Sequence, residues 1–148
     1  EGSLLEELKA MARALDGQSV ELKAGDKILY HASAVIACNY FVTLVKLATD
    51  LWQQFGVSAP EATQALLPLI QGTVNNLKQV GLPNCLTGPI ARGDVGTLGK
   101  HLEALQKQAP AMVSTYRELG LQTIPISLAK GKITPQRAEE MGSLFKSS

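Results

Sequence analysis

The segment 27–56 places apolar residues on almost every face of a helix, and neither proline nor internal glycine divides it. At about 1.5 Å of rise per residue, a segment of this length would form one helix of roughly 40 Å. A helix that is apolar on nearly every face has to be covered by other helices, by a second subunit or by lipid. The pattern therefore predicts one long helix on which the rest of the chain packs.

Four of the polar residues in this segment lie on one side of the predicted helix. Projected at about 100° per residue, they fall within roughly a third of the helix circumference. A lipid-facing span is not expected to carry histidine, asparagine and lysine along one side, so we expect a deeply packed soluble helix whose polar side faces a cleft. Membrane insertion of residues 28–48 is the alternative. The four residues are Lys27, His31, Asn39 and Lys46.

Helical periodicity resumes after residue 56, and each later segment has a recognisable beginning or end. Ser58 and Glu61 form a capping-box pattern, and the segment 81–93, rich in Gly and Pro, predicts a structured loop. From residue 26 onward the pattern predicts an all-α helical bundle around one long central helix. Its later helices are expected to extend from Pro60 to Lys78, from Asp94 to Gln108, from Pro110 to Gly120, from Ile124 to Lys130 and from Thr134 to Phe145.

The first 25 residues follow a different pattern. Leu4 to Leu15 shows helical spacing, and Gln18 to Lys23 alternates polar and apolar positions as a half-buried strand does. A lone strand must pair with strands outside this sequence or remain an extended connector. We interpret residues 1–25 as the tail of a missing N-terminal Rossmann-like domain and residues 26–148 as an all-helical substrate and dimerisation domain. Asp26 is predicted to cap the long helix.

Composition narrows the class of function. With 14 basic and 13 acidic residues, the chain shows no charge excess that would indicate a nucleic acid or a membrane surface as a partner. Its two cysteines, Cys38 and Cys85, form neither a CxxC motif nor a cluster with histidine, so we expect no metal site and no disulfide framework. Two free thiols, and the lack of a signal-peptide pattern, favour a cytoplasmic protein.

His31 and Asn39 are the first candidates for chemistry. They lie about two turns apart on one predicted helix, where an imidazole could exchange a proton and an amide could orient a carbonyl or hydroxyl group. A site that reduces a carbonyl group needs both a proton donor and a group that orients the carbonyl. The alternative is a buried histidine and asparagine whose hydrogen bonds are satisfied by the neighbouring backbone.

The second candidate is the loop that leads into the helix after Asp94. Backbone amides at such a point favour anions, and Arg92 could bind a phosphate or carboxylate with two hydrogen bonds. The alternative is an ordinary helix–helix loop, with Asp94 as a cap and Arg92 in solvent. No GxGxxG, P-loop or nucleophile elbow is present. The candidate binding residues are Thr87, Gly88, Pro89, Arg92, Gly93 and Asp94.

Four segments, taken in order and spacing, resemble the bacterial domain of unknown function 2520, the C-terminal half of Rossmann-like oxidoreductase-type proteins. The resemblance covers the chain from about residue 27 to the C-terminus. The segments are Tyr30 to Tyr40 (YHASAVIACNY), Leu66 to Leu69 (LLPL) with Gly72 and Thr73, Leu86 to Asp94 (LTGPIARGD), and His101 with Leu102.

The resemblance implies a helical domain similar to the C-terminal domains of 6-phosphogluconate dehydrogenase and pyrroline-5-carboxylate reductase. Such a domain forms a homodimer and binds a small keto, hydroxy or imino acid, while the missing half binds NADP or NAD. Related hydroxyacid dehydrogenases carry a lysine four residues before a catalytic asparagine. If Asn39 is that asparagine, Val35 replaces the lysine and His31 is the available proton donor. The alternative is a non-catalytic dimerisation or nucleotide-sensing module.

Overall fold

The computed structural model describes residues 2–147, with side chains from Leu4 onward, and these residues are mainly helical, as predicted. The chain divides into two compact units, Glu1–Leu44 and Val45–Ser148. Glu1, the first residue of the predicted Rossmann tail, lies outside the described residues. The elements are α1 (Gly2–Ala14), α2 (Lys27–Ala34), a π-helical segment (Val35–Asn39), α3 (Tyr40–Gln53), α4 (Ala59–Val80), α5 (Gly88–Arg92), α6 (Val95–Gln108), a 3₁₀ turn (Pro110–Met112), α7 (Val113–Ala129) and α8 (Pro135–Lys146).

The segment between α1 and α2 corrects two predictions. Gln18 to Lys23 forms neither helix nor strand, so the predicted strand is wrong and the connector alternative holds. A strand needs a partner for its backbone groups, and the described chain supplies no strand beside this segment. Asp26 does not cap α2 with its side chain. Its carboxylate instead accepts the amide of Lys23 at 3.0 Å, which closes the turn before the helix.

The predicted long helix forms and extends over Lys27–Gln53, but it is not a uniform α-helix. Val35–Asn39 is a π-helical turn, in which the amide of Tyr40 donates to the carbonyl of Val35. A wider turn of this kind changes the angular relation between residues before and after it. The prediction that all four polar residues share one side of the helix assumed a constant angle per residue, and this assumption fails at the π-helical turn.

The first part of the long helix is not buried in this chain. From Lys27 to Leu44 only Ala34 and Val35 are partly covered, whereas the prediction was a deeply packed helix. By length and composition the helix could cross a membrane, but core helices of soluble proteins can have the same length and composition. An apolar helix left uncovered implies a further covering surface. The large exposed apolar side chains are Ile28, Leu29, Tyr30, Ile36, Tyr40, Phe41, Val42 and Leu44.

The core of the second unit lies between α6, α7 and α8. Side-chain caps begin three helices of this unit: Ser58 forms a capping box with Glu61 on α4, Asp94 caps α6, and Thr134 caps α8. Short α5 packs against both α6 and α7. The buried apolar cluster consists of Leu98, Leu102 and Leu105 on α6, Val113 and Ile124 on α7, and Ala138, Met141 and Phe145 on α8.

Helix α7 is longer than predicted. We expected Gly120 to end a helix and a separate short helix to cover Ile124 to Lys130, but one helix continues through Val113–Ala129. Glycine often ends helices, which explains the wrong prediction. Here Gly120 is buried beneath Phe145, and an added Cβ would lie 2.5 Å from the Cζ of that ring. Gly120 therefore serves close packing rather than helix termination.

Candidate anion-binding site

The segment predicted as a loop folds into a one-turn helix between two glycine-dependent turns. Gly88 (φ +89°) opens α5 and Gly93 (φ +65°) ends it, both in the left-handed region that favours glycine. Pro89 occupies the first turn of α5, where its lack of an amide hydrogen costs nothing. The amide of Asp94 donates to the carbonyl of Pro89 at 2.9 Å and closes the turn. This geometry fixes the backbone of Arg92 at the end of α5.

A pocket of about 520 Å³ opens beside α5. Three of its lining side chains are cationic, and none is acidic. Within the part of the chain that the structure describes, none of the three cations forms an ion pair with a carboxylate. Unpaired charges of one sign around a concave surface favour a counter-charged ligand. The lining residues are Leu86, Thr87, Gly88, Ala91, Arg92, Lys130 and Lys132. We call this cavity the basic pocket.

The end of α7 fixes the loop at the mouth of the basic pocket. Lys130 donates from Nζ to the carbonyl oxygens of Asn84 at 2.9 Å and Leu86 at 2.7 Å. One turn earlier, the fully buried Ser127 donates from Oγ to the carbonyl of Ile90 at 3.0 Å. Because an ammonium group has three donors, Lys130 keeps one hydrogen for a ligand while the other two hold the loop.

The structure divides the six predicted loop residues into two groups. Thr87, Gly88 and Arg92 line the basic pocket, whereas Pro89, Gly93 and Asp94 do not. An added Cβ on Gly93 would lie 2.6 Å from Cγ of Arg137, so this glycine permits close packing between α5 and α8. Pro89 and Gly93 therefore shape the site without lining it.

Asp94 acts as a helix cap. Its carboxylate accepts the amide of Thr97 at 3.0 Å and the hydroxyl of Thr97 at 2.7 Å. These two hydrogen bonds stabilise the charged form and lower the pKa of Asp94, with smaller contributions from the charges of Arg92 and Lys100. Because both oxygens are engaged by α6, the local contacts of Asp94 are structural.

Sequence reasoning missed Lys130 and Lys132. The signal was present as a Lys-Gly-Lys sequence at the end of a predicted helix, but nothing local connects it with the loop more than forty positions earlier. Gly131 (φ +71°) turns the chain between the two lysines, and both then line the basic pocket. Only the tertiary contact of α7 with the loop reveals their role.

His31 and Asn39 belong to the first unit, and both are exposed. The alternative of a buried pair satisfied by the backbone therefore does not describe them. Asn39 is the last residue of the π-helical turn and Val35 is the first. Among the described residues, no hydrogen bond engages the His31 ring, so its imidazole nitrogens are available.

His101 lines a different cavity, of about 390 Å³ and mostly apolar, that also belongs to the second unit. Its Nδ1 lies 2.8 Å from the hydroxyl oxygen of Tyr116, and the two rings meet edge to face with centroids 6.0 Å apart. Burial raises the pKa of Tyr116, so this phenol stays neutral at physiological pH. Within the described residues, no group of three or more His, Cys, Asp or Glu side chains could hold a metal ion.

Comparison with known proteins identifies one family. A family model described as a domain of unknown function (DUF2520) matches residues 1–123. No curated protein and no solved structure matches the chain. The match begins at the first residue rather than near residue 27, and it ends before α8. It includes the loop with Thr87 and Arg92 but not Lys130 or Lys132.

Proposed function

The chain belongs to the family described as a domain of unknown function (DUF2520), and we propose that it is the substrate-binding and dimerisation domain of an NAD(P)-dependent oxidoreductase. The substrate would be a small keto, hydroxy or imino acid. The observation that carries the proposal is the basic pocket, which Arg92 and two lysines line and which no acidic side chain lines. Substrates of this class carry a carboxylate, and the planar guanidinium of arginine matches a carboxylate with two parallel hydrogen bonds.

The proposal gives each candidate residue a separate role. Arg92 binds the acidic group of the ligand, the hydroxyl of Thr87 adds a hydrogen bond, and Gly88 leaves space for the ligand to approach the backbone. In the first unit, taken by itself, His31 is the proposed proton donor and Asn39 the residue that orients the group that His31 protonates. A π-helical turn at Asn39 supports this assignment, because such turns frequently occur at functional sites. NADP or NAD would be bound mainly by a Rossmann-like domain of the same cytoplasmic protein.

Dimerisation is supported by the uncovered apolar face of the long helix. We expect light scattering at high micromolar concentration to give a homodimer, since each large apolar side chain covered in the interface contributes about 1.5–3 kcal/mol. Val42→Glu, at a position that is 66% exposed, is expected to weaken the dimer by placing a charge in that interface. The control is Gln64→Glu on α4, which adds the same charge at an exposed position of another helix. A clean wild-type monomer would contradict this part of the proposal.

A second candidate function is favoured by one observation. Val35 occupies the position where related hydroxyacid dehydrogenases carry a lysine, so the usual catalytic cation is missing. A non-catalytic dimerisation or nucleotide-sensing module would tolerate this replacement. Such a module would bind a nicotinamide nucleotide and form the same dimer, but it would not oxidise the reduced nucleotide.

Arg92→Ala tests the role of the loop. In the protein produced from its complete gene, we expect a KM for the acidic substrate at least tenfold higher, because a charge-assisted hydrogen bond contributes about 1.5–3 kcal/mol. The measurement is substrate-dependent oxidation of NADPH by absorbance at 340 nm, an ordinary assay for this class of reaction. Lys107→Ala, which removes another exposed cation on α6, is the matched control. Unchanged ligand affinity and turnover in Arg92→Ala would show that the loop does not bind the substrate through Arg92.

A further inference from the structure

We propose that the basic pocket selects a phosphate monoester, and that Lys132, with Lys130, distinguishes this dianionic group from a single carboxylate. The inference rests on the proposed function of the same pocket and narrows its ligand class. It also assigns specificity to a segment beyond the residues matched by the family model, which end at position 123.

The charge balance of the pocket is the first argument. Arg92, Lys130 and Lys132 bring three positive charges to one cavity, and no carboxylate lines it. The carboxylate of Asp94, next to the loop, is engaged by Thr97 at the start of α6. A carboxylate would neutralise one of the three charges. A phosphate monoester carries a charge of about −1.5 to −2 at neutral pH and would neutralise nearly two.

The geometry of the lysines is the second argument. The ammonium of Lys130 is held by the carbonyls of Asn84 and Leu86, so its position does not depend on a ligand. Lys132 follows after the left-handed Gly131 and lines the same cavity, but no hydrogen bond to its ammonium is found among the described residues. Lysine binds phosphate as a compact point charge, whereas arginine offers a flat two-pronged donor. A fixed lysine, a free lysine and an arginine suit the several oxygens of a phosphate better than the two oxygens of a carboxylate.

The size of the pocket is the third argument. At about 520 Å³ the cavity is within the range of about 300–1,000 Å³ that is usual for small-molecule sites. It therefore has room for a phosphate group and a short organic part. Leu86 and Ala91 add apolar wall to the cationic groups, and Thr87 adds a hydroxyl. The inferred ligand is a small phosphorylated metabolite rather than a free inorganic ion.

The test is a calorimetric titration of the protein from its complete gene with glycerol 3-phosphate, inorganic phosphate and acetate at constant ionic strength. We expect glycerol 3-phosphate to bind most tightly and both phosphates to bind at least tenfold more tightly than acetate. Lys132→Gln is expected to weaken phosphate binding roughly tenfold, with acetate binding changed less than twofold. Lys132 makes no hydrogen bond within the described residues, so its removal leaves the loop intact. Lys107→Gln, on α6, is the control and is expected to change neither.

Comparing Lys130→Met with Lys132→Gln distinguishes ligand binding from support of the loop. Lys130→Met removes the two hydrogen bonds to the loop, so we expect weaker phosphate binding together with a lower melting temperature, whereas Lys132→Gln keeps the wild-type melting temperature. Phosphate binding no tighter than acetate binding, or unaffected by Lys132→Gln, would overturn the inference. That result, combined with Arg92-dependent oxidation of NADPH, would leave the proposed function in place. Lys132-dependent phosphate binding without nicotinamide binding would instead support the inference and remove the oxidoreductase proposal.

Discussion

Replacing Phe145 by alanine is expected to lower the free energy of unfolding by about 3–5 kcal/mol, the range for a large aromatic residue lost from a core. The side chain is 2% exposed and belongs to the buried cluster shared by α6, α7 and α8. Its ring meets that of Tyr116 edge to face, with centroids 6.1 Å apart, and it covers Gly120. The truncation would therefore leave a cavity where three helices meet.

Urea unfolding followed by circular dichroism measures this loss. Phe55→Ala is the matched control, because Phe55 is 65% exposed and its removal is expected to cost at most about 1 kcal/mol. The two variants delete the same atoms from the same chain. If Phe145→Ala cost no more than Phe55→Ala, the core described for the second unit would be wrong.

The second large effect is expected from Gly120→Ala. In the interior of a helix this change normally stabilises by about 1 kcal/mol, because alanine has the higher helix propensity. Here the new Cβ would lie 2.5 Å from the Phe145 ring, and such overpacking typically costs about 1–3 kcal/mol. We therefore expect a net loss of stability, reported by a lower urea midpoint.

A control and a double variant make the Gly120 prediction specific. Gly99→Ala changes a helical glycine on α6 that has no neighbouring atom within 4 Å of an added Cβ, and we expect it to stabilise slightly. Combining Gly120→Ala with Phe145→Ala removes the clash, so the alanine at 120 should no longer cost stability in that background. Equal stabilisation by Gly120→Ala and Gly99→Ala would show that no close contact exists at 120.

Features decided by neighbours in sequence could be predicted. Ser58, Asp94 and Thr134 cap their helices because each side chain reaches an amide only three residues away. The spacing of Leu98, Leu102 and Leu105 likewise marks the buried face of α6, since residues three and four apart share one side of a helix.

Features decided by tertiary contacts could not be predicted in the same way. Gly120 was expected to end a helix, as glycine often does. Its packing partner, Phe145, lies on a different helix, so the local sequence could not show the contact. The strand expected at Gln18 to Lys23 depended on partner strands that the described residues do not contain. The π-helical turn at Val35–Asn39 has no simple signature in an apolar sequence without glycine or proline.

The candidate site shows the same division. Thr87 and Arg92 could be identified because a Gly-Pro segment next to a helix is a local pattern. Lys130 and Lys132 come to the same pocket only through the contact of α7 with the loop, which joins residues more than forty positions apart. Two of the three cations of this site thus remained hidden, because they come from a segment distant from the loop.

The most direct test of the central claim is a titration with NADPH, and then NADH, of the protein produced from its complete gene, with candidate keto and imino acids present. We predict binding and substrate-dependent oxidation, with oxidation lost in His31→Ala while nucleotide binding is retained. His101→Gln, a histidine lining a different cavity, should keep its activity. Binding without oxidation by any candidate acid would favour the sensing module, and failure to bind either nucleotide would contradict the proposed oxidoreductase function.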